Sequence, residues 1–422
     1  MRRSPPIWAG NGDVSPPLPS RADGGRRGVV DAGGGMSKLI LPSRRSLILG
    51  AGATFISSRV RALTNDRLTL FSGGKRGDYL IGQTIAGPSS AGGATMNRMG
   101  VAGTTTQWDW GDGAITNGVS DGASPSHAYS ANGPHTYKIK LNSGAAAVTS
   151  LIISGANGGY SQLTGGNSST HGASLGLPSG INKLANLTFF QSDDTWLTGS
   201  VPSFSFAPKL AHFDVQGNYF SGNCPDFSSN PALTYCDIHF AGFSGQLPSF
   251  AACPLLAYFE AHVNSFSGSL PSFNNCTALT HFGMQNAWGG AVGTLPSFAA
   301  CTALTTFTVD AVGDGTGING AVPSFATCTA LTSFSTYGSF ITGVTAGSFA
   351  TQKNLTNLNL SYGSLPSAEV NKVLADCVTS LSISGRAACT VQLGLYNNQA
   401  PTGQGLTDKA TLIAAGWTVN TT

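Results

Sequence analysis

The chain holds 422 residues, enough for two or three domains, and only 10% of them are charged. Its 56 glycines, with an excess of Ser, Thr and Asn, point to a β-rich, turn-rich protein rather than a helical one. The formal charge is +3, but Lys and Arg crowd into the first 76 positions, so the remainder lacks the cationic footprint that a nucleic-acid partner requires.

Residues 1–35 are rich in Pro, Gly and Arg and have no hydrophobic period, which predicts disorder, and Met36 offers a second start. From Met36 to Ala62 a basic stretch ending in Arg44 and Arg45 precedes an apolar run from Leu47 to Ile56. This segment resembles a twin-arginine export signal, although Arg59 and Arg61 are unusual near its end. It is also similar to the start of tail-associated proteins of bacterial prophages. The apolar run is too short to remain as a membrane-spanning helix, so no stable membrane span is expected.

Residues 63–146 alternate in hydrophobicity as strands do, around a flexible-looking segment from Gly82 to Gly100. Trp108 and Trp110 share one strand face, Gly111 and Gly113 permit a tight turn, and Asp112 can cap that turn's donors. With His127, Tyr129, Gly133 and Tyr137, these residues resemble a PKD domain, which implies a small immunoglobulin-like β-sandwich. Asp109, Asp112 and Asp121 are too few, and too scattered, to predict a calcium site.

Beyond this a repeat governs the chain. Pro178, Pro202, Pro225, Pro248, Pro271, Pro296 and Pro323 recur at steps of 24, 23, 23, 23, 25 and 27 residues. A period in the low twenties marks a solenoid with one strand per turn. Leu256, Phe259, Ala261, Asn264, Phe266, Gly268, Leu270 and Pro271 resemble the plant-type leucine-rich repeat L-x-x-L-x-L-x-x-N-x-L-x-G-x-I-P. Phe replaces Leu at many positions, and the Asn is lost at Ala241, Gly289 and Ser339. The array is read as residues 147–365, its first unit being Val148 to Asn157, directly after the sandwich, which would then cap it. The expected fold is thus mainly β: a sandwich followed by about ten repeats and a short helical C-terminal cap.

Two columns inside the repeats should hold the array together. Phe204, Phe227, Phe250, Phe273, Phe298 and Phe325 each bury about 2 kcal/mol of apolar side chain. Cys253, Cys276, Cys301 and Cys328 fall on one position of successive repeats and are read as a column of buried thiols, with pairing of neighbours as the alternative. The segments between strands are too short for α-helices. Residues 366–422 are read as the last repeat and cap: a helix from Ser367 as N-cap, a repeat strand from Val378, then a helix ended by Gly416 and a final strand.

A strand of this pattern turns its Leu positions inward and its third, fifth and seventh positions onto the concave face. The third column reads Phe189, His212, Tyr235, Tyr258, His281, Thr306, Ser333, Asn357. The fifth reads Gln191, Asp214, Asp237, Glu260, Gly283, Thr308, Ser335, Asn359, and the seventh Asp193, Gln216, His239, His262, Gln285, Asp310, Tyr337, Ser361. Four of the seven histidines therefore meet on one face with a third of the acidic residues.

Tyrosines beside carboxylates, amides and imidazoles suit sugar recognition, with rings against sugar faces and planar polar groups on hydroxyls, and suit a polar peptide almost as well. The candidate ligand-binding residues are His212, Asp214, Tyr235, Asp237, His239, Tyr258, Glu260, His262, His281 and Gln285. Asp237/His239, Glu260/His262 and His212/Asp214 carry metal-ligating groups on adjacent strands, but an open array offers such pairs without a closed site, and no metal or cofactor is assigned. The sequence thus reads as a non-enzymatic recognition protein, exported or virion-associated, whose partner is a glycan or protein on a cell surface. The alternatives are a structural component of a phage tail or prophage particle and a polysaccharide hydrolase using a pair such as Asp214 and Asp237.

Overall fold

The computed structural model describes residues 78–86, 95–96, 99–125, 127–128, 133–154, 176–195, 197–285, 293–310, 318–394 and 397–422. All belong to the compact unit from Ser72 to Thr422. The leader-like segment, residues 63–77, Tyr129, Asn157 and Gly289 lie outside the described residues.

The N-terminal part is a four-stranded antiparallel sheet in the order Asp78–Ala86, Gly133–Leu141, Thr106–Asp109, Ile115–Val119, with a two-stranded ribbon of Thr95–Met96 and His127–Ala128. Alternation places Trp108 and Trp110 in its core, where their rings stack at 5.0 Å. Gly111, at φ 82°, is required by a close approach: a Cβ there would lie 2.2 Å from the Thr136 carbonyl oxygen. Asp109, Asp112 and Asp121 accept backbone N–H bonds from Gly111, Ala114 and Gly103, so all three carboxylates serve the turns. Of the segment expected to be flexible, Gly82 to Gly100, residues 87–94 and 97–98 lie outside the described residues, and the described ones are strand. Asp78–Ala86 continues as a strand paired along its length with Gly133–Leu141, and Met99–Ala102 is a strand as well.

Met99–Ala102 runs antiparallel to Ser150–Ser154, the first strand of the solenoid, and so covers the end of its sheet. Ten further strands follow in parallel: Phe189–Asp193, His212–Asp214, Tyr235–Asp237, Tyr258–Glu260, His281–Gly283, Thr306–Thr308, Ser333–Ser335, Asn357–Asn359, Thr390–Gln392 and Thr418–Asn420. Each third-column residue pairs with the third-column residue of the next repeat, so the columns of the sequence are columns in space. Short strands such as Tyr219–Phe220 and Ile318–Val322 build narrow second sheets along the other side of the coil. This is a leucine-rich repeat solenoid, mostly β.

Its interior is two ladders of rings. The P-S-F phenylalanines stack on one another from Phe227 to Phe325 at 5.3–5.8 Å. The strand phenylalanines Phe213, Phe259, Phe282, Phe307 and Phe334 meet them edge to face. Asn218 and Asn264 are buried and bridge repeats: each amide donates to carbonyls of its own and the preceding repeat, and each side-chain oxygen accepts a backbone N–H. Ser339 stands in for the Asn by donating its hydroxyl to Val309 O. All eight cysteines are free and buried. The ladder thiols donate to carbonyls one repeat back, Cys276 to Phe250, Cys301 to Phe273 and Cys328 to Phe298. Asn230 and Gln352 make the same link with amides at either end of the column.

The cap differs from the expectation in two respects. The helix spans Ser367–Ser380 with Pro366 as its N-cap, so Ser367 is the first helical residue rather than the cap. The stretch from Val378 is its last turn and a following turn, not a strand, because Val370, Val373, Leu374 and Cys377 bury one continuous helical face. The next sheet strand is Thr390–Gln392. A second helix, Gln404–Ala414, ends where Gly416 adopts φ 84°, and leads into Thr418–Asn420.

Candidate functional site

The fold delivers the third column as a continuous stack of rings. Phe189, His212, Tyr235, Tyr258 and His281 lie face to face at 4.1, 4.3, 4.5 and 4.5 Å, none tilted by more than 11°. Strand spacing of about 4.8 Å explains this, since rings on neighbouring strands in register have little choice but to stack. The consequence runs against the expected use of these tyrosines. Within the column each ring covers its neighbour's face, so the stack offers a sugar ring edges, hydroxyls and nitrogens rather than flat surfaces.

The fifth column departs from expectation more sharply. Asp214, Asp237 and Glu260 are buried, with 5%, 3% and 8% of their surface exposed, instead of lying on a solvated face. The flanking columns cover them. His239 Nδ1 meets Asp237 Oδ1 at 2.5 Å, and Tyr235 donates its hydroxyl to Asp237 Oδ2 at 3.3 Å. Glu260 is held from two sides, by His262 Nδ1 at 2.6 Å and His281 Nε2 at 2.7 Å. His239 and His262 stack on each other at 4.3 Å. Gly283 makes room for this arrangement: a Cβ there would lie 2.1 Å from Glu260 Oε1.

The three carboxyls consequently differ. Burial pushes Asp214 up to about 7, reinforced by the charges of Asp237 and Asp193, because its seventh-column neighbour is Gln216 and not a histidine. Burial pushes Glu260 up as well, but the bonds from His262 and His281 outweigh it and hold the acid at about 2. Burial lowers the His239 imidazole, and the Asp237 bond and charge more than offset this, leaving it raised. Burial lowers His212, so it sits in the ring stack as a neutral imidazole.

Nine of the ten expected residues, from His212 to His281, are thus brought into one connected ladder. Gln285 stands at the end of the seventh column, where its backbone carbonyl accepts the Val263 N–H. Past Gly283 the third and fifth columns change to small neutral groups, Thr306, Thr308, Ser333, Ser335, Asn357 and Asn359, while Asp310 in the seventh column accepts from the Ser335 hydroxyl and the Tyr337 N–H. Among the described residues no group of three or more His, Cys, Asp or Glu is placed to hold a metal ion.

No protein-family model matches the sequence, and no curated protein matches it. Among solved structures it is similar to a TDR receptor, at 22% identity and a TM-score of 0.40 over 58% of this chain and 44% of that one. The Arabidopsis receptor kinase HAESA, solved with the peptide hormone IDA and the co-receptor SERK1, is similar at 18% identity and a TM-score of 0.36, over 52% and 39% of the two chains. The functional domain of InlJ from Listeria monocytogenes, which includes a cysteine ladder, is similar at 16% identity and a TM-score of 0.31, over 54% and 52%. The chain thus spans under half the length of the TDR receptor and of HAESA.

Sequence reasoning missed a neighbouring feature. The eighth position of the repeat is a left-handed turn, with φ of 49° at Asp194, 66° at Gly217, 48° at Phe240 and 52° at Val263. Each turn is fixed by its N–H bonding the seventh-column carbonyl of the next repeat, as Gly217 does to His239 and Phe240 to His262. A bulky residue at this turn is costly, so the alternation of Gly217 with Phe240 was a signal available in the sequence.

Proposed function

We propose that this protein is a non-enzymatic recognition protein, exported to a cell surface or extracellular setting, that holds an extended polar ligand across the strands from Phe189 to His281. The supporting observation is the connected ladder of ring edges, hydroxyls, imidazoles and buried carboxylates on one sheet face. Its groups repeat with the strand spacing, so a glycan or polar peptide laid across the strands meets donors and acceptors in series. Buried carboxylates fix the orientation of the histidines, which reduces the ordering cost of binding. Scarcity of Lys and Arg beyond the first 76 residues argues against nucleic acid as the ligand.

An array of glycans and polar peptides probed with the full chain and with a Tyr235→Ala/Tyr258→Ala double variant tests this. Binding lost in a folded double variant is the expected result. A folded parent protein that binds nothing on the array removes the reading. The desolvated Asp214 beside Asp237 supports one second reading, polysaccharide hydrolysis, which predicts release of reducing ends that stops in Asp214→Asn.

A further inference from the structure

Beside the ladder, the eighth-position turns of three successive repeats enclose a cleft of about 250 Å³ lined by Asp194, Gly217, Asn218, Tyr219, His239 and Phe240. Gly217, between Asp194 and Phe240 at the same position of the neighbouring repeats, makes room for the Asp194 carboxylate at the cleft: a Cβ there would lie 2.1 Å from Asp194 Oδ1. Tyr219 and Phe240 are 56% and 51% exposed, the kind of aromatic surface that the stacked third column does not offer. Phe240 also meets the rings of His239 and His262 edge to face at 5.8 and 5.6 Å, so the cleft is physically continuous with the ladder.

The chemistry of the cleft is selective. Its floor has no backbone donor to offer, because Gly217 N–H bonds His239 O and Asn218 N–H bonds Phe240 O. The Asn218 side chain is likewise committed, accepting from Thr195 and Leu197 and donating to Ser192 and Val215 carbonyls. Polar side-chain contact is available from the Asp194 carboxylate as acceptor and from His239, whose Nδ1 is held by Asp237 and whose Nε2 is the nitrogen a ligand can use. An extended peptide finds no backbone N–H partner on this floor, whereas sugar hydroxyls can use the carboxylate and the imidazole.

We infer that this cleft is a binding subsite for one pyranose unit of a glycan, with Tyr219 and Phe240 against the apolar sugar face and Asp194 and His239 on adjacent hydroxyls. Its volume is below the range of about 300–1,000 Å³ that drug-sized ligands occupy, which fits a single ring. The inference rests on the proposed recognition role and narrows it from polar ligands to carbohydrate.

The test is a glycan array read with the full chain, Phe240→Gly, Tyr219→Ala and the Tyr235→Ala/Tyr258→Ala variant, with the thermal midpoint of each measured alongside. Glycine suits φ 48°, so Phe240→Gly is expected to keep its thermal midpoint while glycan affinity falls about tenfold or more, as loss of a central aromatic contact does. Tyr219→Ala should lose affinity in parallel. Full affinity in both single variants, with loss only in the double variant, overturns the subsite and leaves the ladder reading standing. Loss in Phe240→Gly with full affinity in the double variant supports the subsite and removes the ladder. A folded parent that binds no glycan, or binds peptides alone, overturns the subsite.

Discussion

Replacing Asp214 with asparagine is expected to stabilise the protein at neutral pH and to leave it unchanged or weaker in acid. Asp214 is 5% exposed, accepts one bond, from the Gln216 N–H at 3.2 Å, and has no histidine partner. Its carboxyl is raised from the ordinary 3.8 to about 7, chiefly by burial. The sign follows from proton binding. Below the unfolded value both states hold the proton and nothing is lost. Between that value and about 7 the folded chain keeps a proton that the unfolded chain releases, so stability falls as pH rises, by about 1.4 kcal/mol per pH unit. The accumulated cost above that range is about 4 kcal/mol. Asparagine keeps an acceptor for Gln216 and cannot ionise. Its added N–H₂ group carries a desolvation cost of about 1–3 kcal/mol, which is the same at every pH and therefore cancels from the slope. Urea unfolding of parent and variant from about pH 4 to about pH 8 should show the variant gaining on the parent by several kcal/mol across the range. Equal slopes, or an Asp214 carboxyl that titrates near its ordinary value by NMR, would refute the reasoning.

Glu260 should behave in the opposite sense: held at about 2 by His262 and His281, it contributes stability above its ordinary 4.5 that is lost as pH falls through that interval. Glu260→Gln is therefore expected to cost about 2–3 kcal/mol at neutral pH and to flatten the acid limb of the stability curve. Gly283→Ala, whose Cβ would lie 2.1 Å from Glu260 Oε1, should cost about 1–3 kcal/mol by pushing the carboxylate off His281. A double-mutant cycle checks the link, because the two costs should not add. The thiol ladder should be silent in the folded state: burial pushes Cys276 and Cys301 up to about 12, so alkylation at mildly basic pH should label no ladder cysteine until urea unfolds the chain. A reductant should leave the thermal midpoint where it was.

The repeat array and its columns were legible because a solenoid is quasi-one-dimensional. A residue's position within its repeat fixes whether it points inward or outward, and adjacent repeats become adjacent strands. That is why the third, fifth and seventh positions read as columns in the sequence, and why the third and fifth are paired in register from Phe189 to Asn359. The described strand residues within Gly82 to Gly100 and the stretch from Val378 were not legible because each set takes its structure from a distant partner. One pairs with Gly133–Leu141 and Ser150–Ser154, and the other belongs to a helix that packs beside Phe340–Val344 and Gln404–Ala414.

The sequence by itself determined the period, the buried ladders of Phe and Cys, and the gathering of histidines and carboxylates on one face, because each of these depends only on spacing. The tertiary structure alone decided how those groups meet. It turned the ring faces of the third column onto one another, sank Asp214, Asp237 and Glu260 beneath their neighbours, and formed a cleft lined by Asp194, Gly217, Tyr219 and Phe240. Stacking, burial and cleft shape depend on side-chain volumes in adjoining repeats and on the left-handed eighth-position turn, neither of which a column of letters contains.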